Sequence, residues 1–246
     1  MEKIRNGFFK KYKLEKTNVK SNLLTKSLLW MSLGLMVIIF VAWLSSNINS
    51  FQNFVFRFSY GTNWLFAWII NIILIFSLFM TLKNPKINIA IPIILYSLFA
   101  FYEGMFITSI LIFSGKTDVF KDLLVYMLVP AGIFAIMGIV GYFNLIDFTK
   151  LIPFTLFATI GLFVLALLLF ILNSRVLESI YLMLASVIFI IWIGFDMQMI
   201  YRTDQTIYNL NISNKEITRI AFLFGIKLFI DFVNLLYIVI RIFNRR

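Results

Sequence analysis

Four ionisable side chains interrupt apolar stretches of this sequence, namely Glu103, Asp196, Lys227 and Asp231. Inside a bilayer such a residue costs several kcal/mol if it stays charged against lipid, so it normally faces the interior of a bundle, pairs, or lines a water-filled path. The 246-residue chain contains no histidine and no cysteine. Thiol chemistry, thiolate or imidazole metal sites and Ser-His catalysis are therefore excluded, and any proton-linked behaviour must use Asp, Glu or Lys.

The last apolar stretch carries three polar residues at helical spacing. Lys227, Asp231 and Asn234 stand at positions i, i+4 and i+7, so they share one face of a helix. Two interpretations remain open. The lysine and the aspartate form a local ion pair that only neutralises two charges, or the three side chains make a polar stripe that lines a cavity at mid-membrane.

Asp196 lies about four residues before the expected end of its apolar stretch. An acidic side chain so close to a helix end can reach water at little cost. Counting 1.5 Å per residue from the ends of the apolar stretches places Asp231 roughly 10–15 Å deeper in the membrane. Contact between the two aspartates therefore does not follow from counting, and would require the helix ends to shift by a turn or two.

Glu103 stands among apolar neighbours one turn away on either side, Phe99, Ala100, Phe106 and Ile107. A carboxyl group in that setting can keep its proton and hydrogen-bond to a neighbouring helix. It can instead serve as a cation ligand or a gate. The residue types do not decide between these two possibilities.

Three acidic residues converging in one bundle would suit a hard cation such as calcium, which prefers carboxylate and carbonyl oxygen. They would equally suit a proton relay. Two close carboxylates share a proton and titrate as a pair, so they can sense pH without histidine.

The elements that must position these residues are membrane helices. The chain is 61% hydrophobic with a mean hydropathy of +0.95 and is only 13% charged, a composition typical of polytopic membrane proteins. We predict an all-α, seven-helix transmembrane bundle, with a polar loop containing Arg57 after the first helix and a polar stretch from Arg202 to Arg219 before the last. The helices are predicted at 27–46, 64–82, 88–113, 123–142, 151–172, 176–200 and 220–240.

Charge predicts the orientation. The net charge is +11, and eight of the 22 basic residues precede the first apolar run. We therefore predict a basic cytoplasmic tail at 1–26, attracted to anionic lipid headgroups, and a single transmembrane domain at 27–246. With seven spans, fourteen Lys and Arg fall on the side of the N-terminus and seven on the other, which places the N-terminus in the cytoplasm. The Arg245-Arg246 terminus then lies outside, against the same rule.

Four short segments, in order and spanning about residues 100–242, resemble the Bax inhibitor family. Residues 193–198 are similar to its helix-six core of tyrosine, aspartate, threonine and glutamine, and residues 227–236 to its last helix. The four segments are Tyr102-Glu103-Gly104 with Ser109, Gly141-Tyr142-Phe143 with Asp147, Ile193-Gly194-Phe195-Asp196-Met197-Gln198, and Lys227 to Leu236 followed by Ile240-Arg241-Ile242.

The resemblance implies a seven-helix bundle with the last helix central, and a pH-sensitive calcium leak across a membrane. It implies that Asp196 and Asp231 form a proton-sensing pair and that Glu103 is a pore ligand. The chain departs from the family pattern at Phe195 and Met197. Some members latch an aspartate with a basic residue on helix two, which here has no Lys or Arg between 63 and 82; Lys227 could replace that latch.

Other functions stay open from the residues alone. The alternatives are a small-solute or proton-coupled transporter and a non-conducting membrane regulator. We expect no enzymatic activity and no cofactor, with calcium as the permeant ion, and no nucleic-acid partner. We also expect a monomer. The heavy use of Ile, Phe, Asn and Lys indicates an AT-rich bacterial genome, so we expect a bacterial plasma membrane.

Overall fold

The computed structural model describes residues 22–60, 64–84, 86–115, 118–172, 174–210 and 213–244. Residues 1–21, most of the predicted basic tail, lie outside that part of the chain. The described residues are all-helical and contain no strand. The elements are α1 Leu23–Asn47, α2 Asn49–Tyr60, α3 Trp64–Lys83, α4 Ala90–Phe113, α5 Val119–Tyr142, a 3₁₀ helix Phe148–Lys150, α6 Ile152–Leu172, α7 Arg175–Leu210 and α8 Asn214–Phe243.

Six of these helices are long and apolar enough to cross a membrane: α1, α4, α5, α6, α7 and α8. The protein is therefore a multi-pass membrane protein. The predicted second helix corresponds to α3, where the apolar segment found among the described residues is the shorter Ile69–Lys83. The described part of the chain therefore contains six candidate spans, and the predicted count of seven is not confirmed.

Helix α8 lies at the centre of the bundle and contacts α1, α3, α4, α5 and α7. In its most apolar window 72% of the residues are buried, against 11% in α6 at the periphery. Glycine allows α1 to approach α8 closely: a Cβ atom at Gly225 would lie 2.5 Å from Cβ of Trp30 and 2.8 Å from the carbonyl oxygen of Ser27. A larger residue there would push the two helices apart.

The predicted polar loop around Arg57 is wrong, because that segment forms helix α2, Asn49–Tyr60. Its apolar residues recur one turn apart, as in an amphipathic helix. Val55 is fully buried, and Phe51 packs against the same small cluster, which includes Tyr102 of α4. Arg57 remains exposed on the opposite side.

The polar stretch from Arg202 to Arg219 is also mostly helical. Helix α7 continues to Leu210, and α8 begins at Asn214 rather than near residue 220. Ser213 caps α8 by accepting a hydrogen bond from the backbone N–H of Glu216, and this Ser-x-x-Glu spacing is the capping-box pattern. Both helices therefore extend beyond their apolar segments at the end where they are joined.

Candidate functional site

The extended helices bring Asp196 and Asp231 to similar depth. Asp196 lies about 21 Å along α7 from its end at Leu210, and Asp231 about 25 Å along α8 from its start at Asn214. The depth difference of 10–15 Å expected from the apolar stretches is therefore wrong, because it was counted from the ends of the apolar segments and not from the ends of the helices.

Lys227 joins the two helices at that depth. Its Nζ atom lies 3.5 Å from Oδ1 of Asp196, so the ion pair crosses from α8 to α7 and is not confined to one helix. The carboxyl groups of Asp196 and Asp231 are close enough to interact electrostatically with each other and with the lysine. These three residues are called the inner site.

Burial makes the inner site electrostatically sensitive. Asp196 is 5% exposed and Asp231 is 9% exposed, whereas the Lys227 side chain keeps 37% of its surface. Oδ2 of Asp231 is buried and finds no hydrogen-bond partner within the described part of the chain. An unpaired buried carboxyl oxygen is costly, so this oxygen is the natural place for a proton or a cation. Asn234 lies one turn further along the same face and is half-buried.

Glu103 lies at a second site, apart from Asp196, Lys227 and Asp231. Oε1 accepts a hydrogen bond of 2.5 Å from Nδ2 of Asn71 on α3, and Oε2 accepts one of 2.8 Å from the hydroxyl of Tyr237 on α8. The glutamate is 5% exposed. Asn71, Glu103 and Tyr237 are called the outer site, since they lie nearer the C-terminal end of α8.

The three acidic residues therefore do not converge. Tyr237 follows Asp231 by six residues, which is about 9 Å along α8. In the described ranges no group of three acidic side chains is close enough to hold a metal ion. The convergence expected from the sequence is wrong because Glu103 faces α3 and α8 on the other side of the bundle from α7.

Sequence reasoning missed Asn71 and Tyr237. A signal existed for the first, because an asparagine within the apolar run Ile69–Lys83 needs a polar partner. Tyr237 carried no comparable signal, since tyrosine packs well among aromatic side chains, and its ring does stack edge-on against Phe106 with 5.7 Å between centroids.

The turn between α5 and α6 carries a fourth acidic residue, Asp147. Its Oδ1 accepts hydrogen bonds from the Thr149 hydroxyl at 2.5 Å and from Nη2 of Arg202 at 2.9 Å. The Thr149 hydrogen bond and then the Arg202 guanidinium hold the pKa of this carboxyl below its usual range, although desolvation opposes them. The ion pair ties the turn to α7.

Gln198 makes a second tie between this turn and α7. Its side-chain amide donates to Oδ1 of Asn144 and to the carbonyl oxygen of Ile146. Asn144 adopts a left-handed backbone with φ of 55°, which asparagine tolerates better than most residues. Because Gln198 and Asp196 project from α7 in nearly opposite directions, these contacts fix the rotation that turns Asp196 toward α8.

Comparisons with known proteins give one family match and two similar proteins. Residues 20–246 match the family described as inhibitor of apoptosis-promoting Bax1. The chain is also 25% identical over 220 residues to the inner membrane protein YbhL of Escherichia coli strain K12, and the match covers 88% of each chain. The protein of the same name from Escherichia coli O6:H1 matches equally well. The family resemblance predicted from four short segments is thereby confirmed.

Proposed function

Because the chain belongs to the Bax inhibitor family, we propose that it is a pH-sensitive cation leak pathway of the bacterial plasma membrane, with calcium as the permeant ion. The inner site carries the proposal. Two buried carboxyl groups and one lysine interact across the contact between α7 and α8. Such intramembrane acidic residues commonly mark ion pathways.

Protonation changes the charge of the inner site in a single step. With both carboxyl groups ionised, Asp196, Lys227 and Asp231 together carry one net negative charge, and with one shared proton they are neutral. The pair titrates as a unit. The charge change alters both the attraction between α7 and α8 and the affinity of the site for a cation, so it couples proton binding to conduction.

Lys227 takes the place of the basic residue that, in some family members, latches an aspartate from the second transmembrane helix. Its position one turn before Asp231 lets the same side chain face both aspartates. We expect it to restrain α7 against α8 while the ion pair is intact. Glu103 is the cation ligand in the outer half of the pathway, and the protein acts as a monomer without a cofactor.

The membrane orientation that fits this function has seven spans, with α3 as the second. The backbone of α3 covers 20 residues, about 30 Å, which matches the hydrocarbon core. An N-terminus in the cytoplasm then places the basic tail against anionic lipids, and puts Asp147 and the connection between α7 and α8 on the cytoplasmic side.

Calcium flux into proteoliposomes, measured over a range of internal and external pH, tests the proposal. We expect flux in the wild type with a clear pH dependence, and a flattened dependence in Asp196→Asn and Asp231→Asn. Glu178→Gln is the matched control for the inner site, because that acid pairs at 2.8 Å with Arg241, which lies about 15 Å along α8 from Asp231. Absence of flux, or a wild-type pH profile in both aspartate variants, would refute the function.

A further inference from the structure

Helix α8 is buried on every side but one. Between residues 220 and 240, all of its residues are buried except five. These five follow one another at alternating steps of four and three residues, so they lie on one face of the helix. They are Leu223, Lys227, Ile230, Asn234 and Tyr237, and together they are called the lateral stripe. The bundle leaves this side of its central helix partly open.

The opening lies between α3 and α7. Around α8 the other helices form an arc, in which α3 packs on α4, α4 on α1, α1 on α5 and α5 on α7. The two ends of the arc are α3 and α7, and no extended contact joins them among the described residues. The polar contacts agree with this order. Lys227 pairs with Asp196 of α7, whereas Arg219 bonds to carbonyl oxygens at the end of α3. The lateral stripe therefore faces sideways, toward lipid.

Lys227 lies within the hydrocarbon core of the membrane. Helix α8 covers 30 residues, about 45 Å, whereas the core of a bilayer is about 30 Å thick. The lysine is about 20 Å from the start of the helix and about 24 Å from its end. Wherever the core is placed along a fully spanning α8, it therefore includes this residue.

Acyl chains cannot satisfy the polar groups of the lateral stripe. The Lys227 side chain is 37% exposed, and its ammonium group directs only part of its donor capacity at Asp196, 3.5 Å away. The half-buried Asn234 side chain makes no hydrogen bond to the described residues. Unsatisfied polar groups are costly in hydrocarbon, so a polar partner must reach this depth from outside the bundle.

The accessible groups define the chemistry of that partner. Asp196 and Asp231 are only 5% and 9% exposed, so their carboxyl groups lie behind the surface of the opening. A partner meets the N–H donors of Lys227 and Asn234 first, and such donors suit the oxygen atoms of a phosphate group. The apolar members of the lateral stripe suit hydrocarbon chains. A molecule with a phosphate and acyl chains, entering from the side, is a phospholipid.

The charge of the inner site selects among headgroups. With both aspartates ionised the inner site carries one net negative charge, which repels a headgroup that is itself anionic. A zwitterionic headgroup brings its own cation beside the phosphate, so it adds no net charge. We propose that the lateral stripe binds a zwitterionic phospholipid between α3 and α7, with the phosphate at Lys227 and Asn234. This inference does not depend on ion conduction.

A spin label on the lateral stripe tests the proposal. The chain contains no cysteine, so Ile230→Cys gives the full chain a single labelling position close to Lys227. In nanodiscs and phosphate-free buffer, electron–nuclear double resonance then detects lipid phosphorus near the label. Phe163→Cys is the matched control, because Phe163 lies near the middle of α6 and is 65% exposed. We expect a phosphorus signal at residue 230 and none at residue 163 in phosphatidylcholine. In phosphatidylglycerol the signal at residue 230 should be about tenfold weaker.

Variants of the two donors sharpen the test. In the labelled chain, Lys227→Arg should retain the phosphorus signal and Lys227→Met should abolish it. Because Lys227→Met also breaks the ion pair with Asp196, Asn234→Leu serves as a second variant. It should lower the signal about tenfold, the factor that one hydrogen bond to a charged acceptor supplies. An unchanged signal in both folded variants would contradict the assigned contacts.

Three other results would overturn the proposal. The absence of phosphorus at residue 230, together with access for a water-soluble nickel complex, would show that water alone fills the opening. Dipolar coupling between the labels of two chains would show that a second copy covers the lateral stripe. An equal phosphorus signal in phosphatidylglycerol would show that the headgroup is not selected by charge. None of these results depends on whether the protein conducts calcium.

Discussion

The inner and outer sites show two ways of keeping a carboxyl group inside a membrane protein. At the inner site Lys227 supplies a positive charge to Asp196 across a helix contact. At the outer site Asn71 and Tyr237 supply only neutral hydrogen bonds to Glu103. Glu103 and Asp196 are equally buried, each with 5% of its surface exposed. The difference therefore lies in the partners and not in the solvent access of the acid.

This difference decides what each site can respond to. A buried ion pair is stable only while both charges are present, so losing one partner strands the other in a medium of low dielectric constant. A carboxyl group held by neutral donors can gain or lose a proton while leaving no charged partner behind. The inner site is consequently the more fragile of the two, and the outer site the more tolerant of neutral replacements.

Lys227→Met should produce the largest loss of stability. It removes the positive charge and leaves Asp196 and Asp231 facing each other, which we expect to cost about 3 kcal/mol of unfolding free energy at neutral pH. Unfolding in mixed micelles measures the loss. Lys227→Arg should retain most of the stability, and adding Asp196→Asn to Lys227→Met should recover part of it. An equal loss with and without Asp196→Asn would mean that the ion pair does not stabilise the bundle.

Glu103→Gln should have a smaller effect. The glutamine carbonyl can still accept one of the two hydrogen bonds, and no basic residue of the described chain is left unpaired, so we expect a loss of about 1 kcal/mol. Glu103→Ala should cost more, since it strands the donors of Asn71 and Tyr237. A loss for Glu103→Gln as large as that for Lys227→Met would show that the outer site has a charged partner after all, and would end the contrast between the sites.

Much of the fold was predictable from the sequence because apolar length and composition report membrane helices directly. Predicted helices such as 88–113 and 151–172 agree closely with α4 and α6. Hydropathy reports where the membrane ends, however, and not where a helix ends. That is why the extensions of α7 and α8 were missed, and with them the common depth of the two aspartates. Helix α2 was missed because polar residues interrupt its short apolar repeat.

The candidate sites were predictable only within single helices. Periodicity on α8 correctly placed Lys227 and Asp231 on one face, as their shared contact with Asp196 shows. Contacts between helices depend on rotation and packing, which one sequence does not encode in its spacing. Hence neither the reach of Lys227 to α7 nor the bonds from Asn71 and Tyr237 to Glu103 could be derived beforehand.

Asp147 extends the comparison to an acid outside the membrane, where the smallest effect is expected. Its pKa is held low by Thr149 and Arg202, so the ionised form stabilises the fold. That contribution is fully present above the pKa of an unfolded aspartate, near pH 4, and disappears as the pH falls through the lower folded value. Asp147→Asn should therefore be slightly less stable than the wild type at pH 7, and the two should converge on acidification. A difference in unfolding free energy that stays constant from pH 7 to pH 3 would show that the turn is held by its other hydrogen bonds, such as those of Gln198, and not by the charge of Asp147.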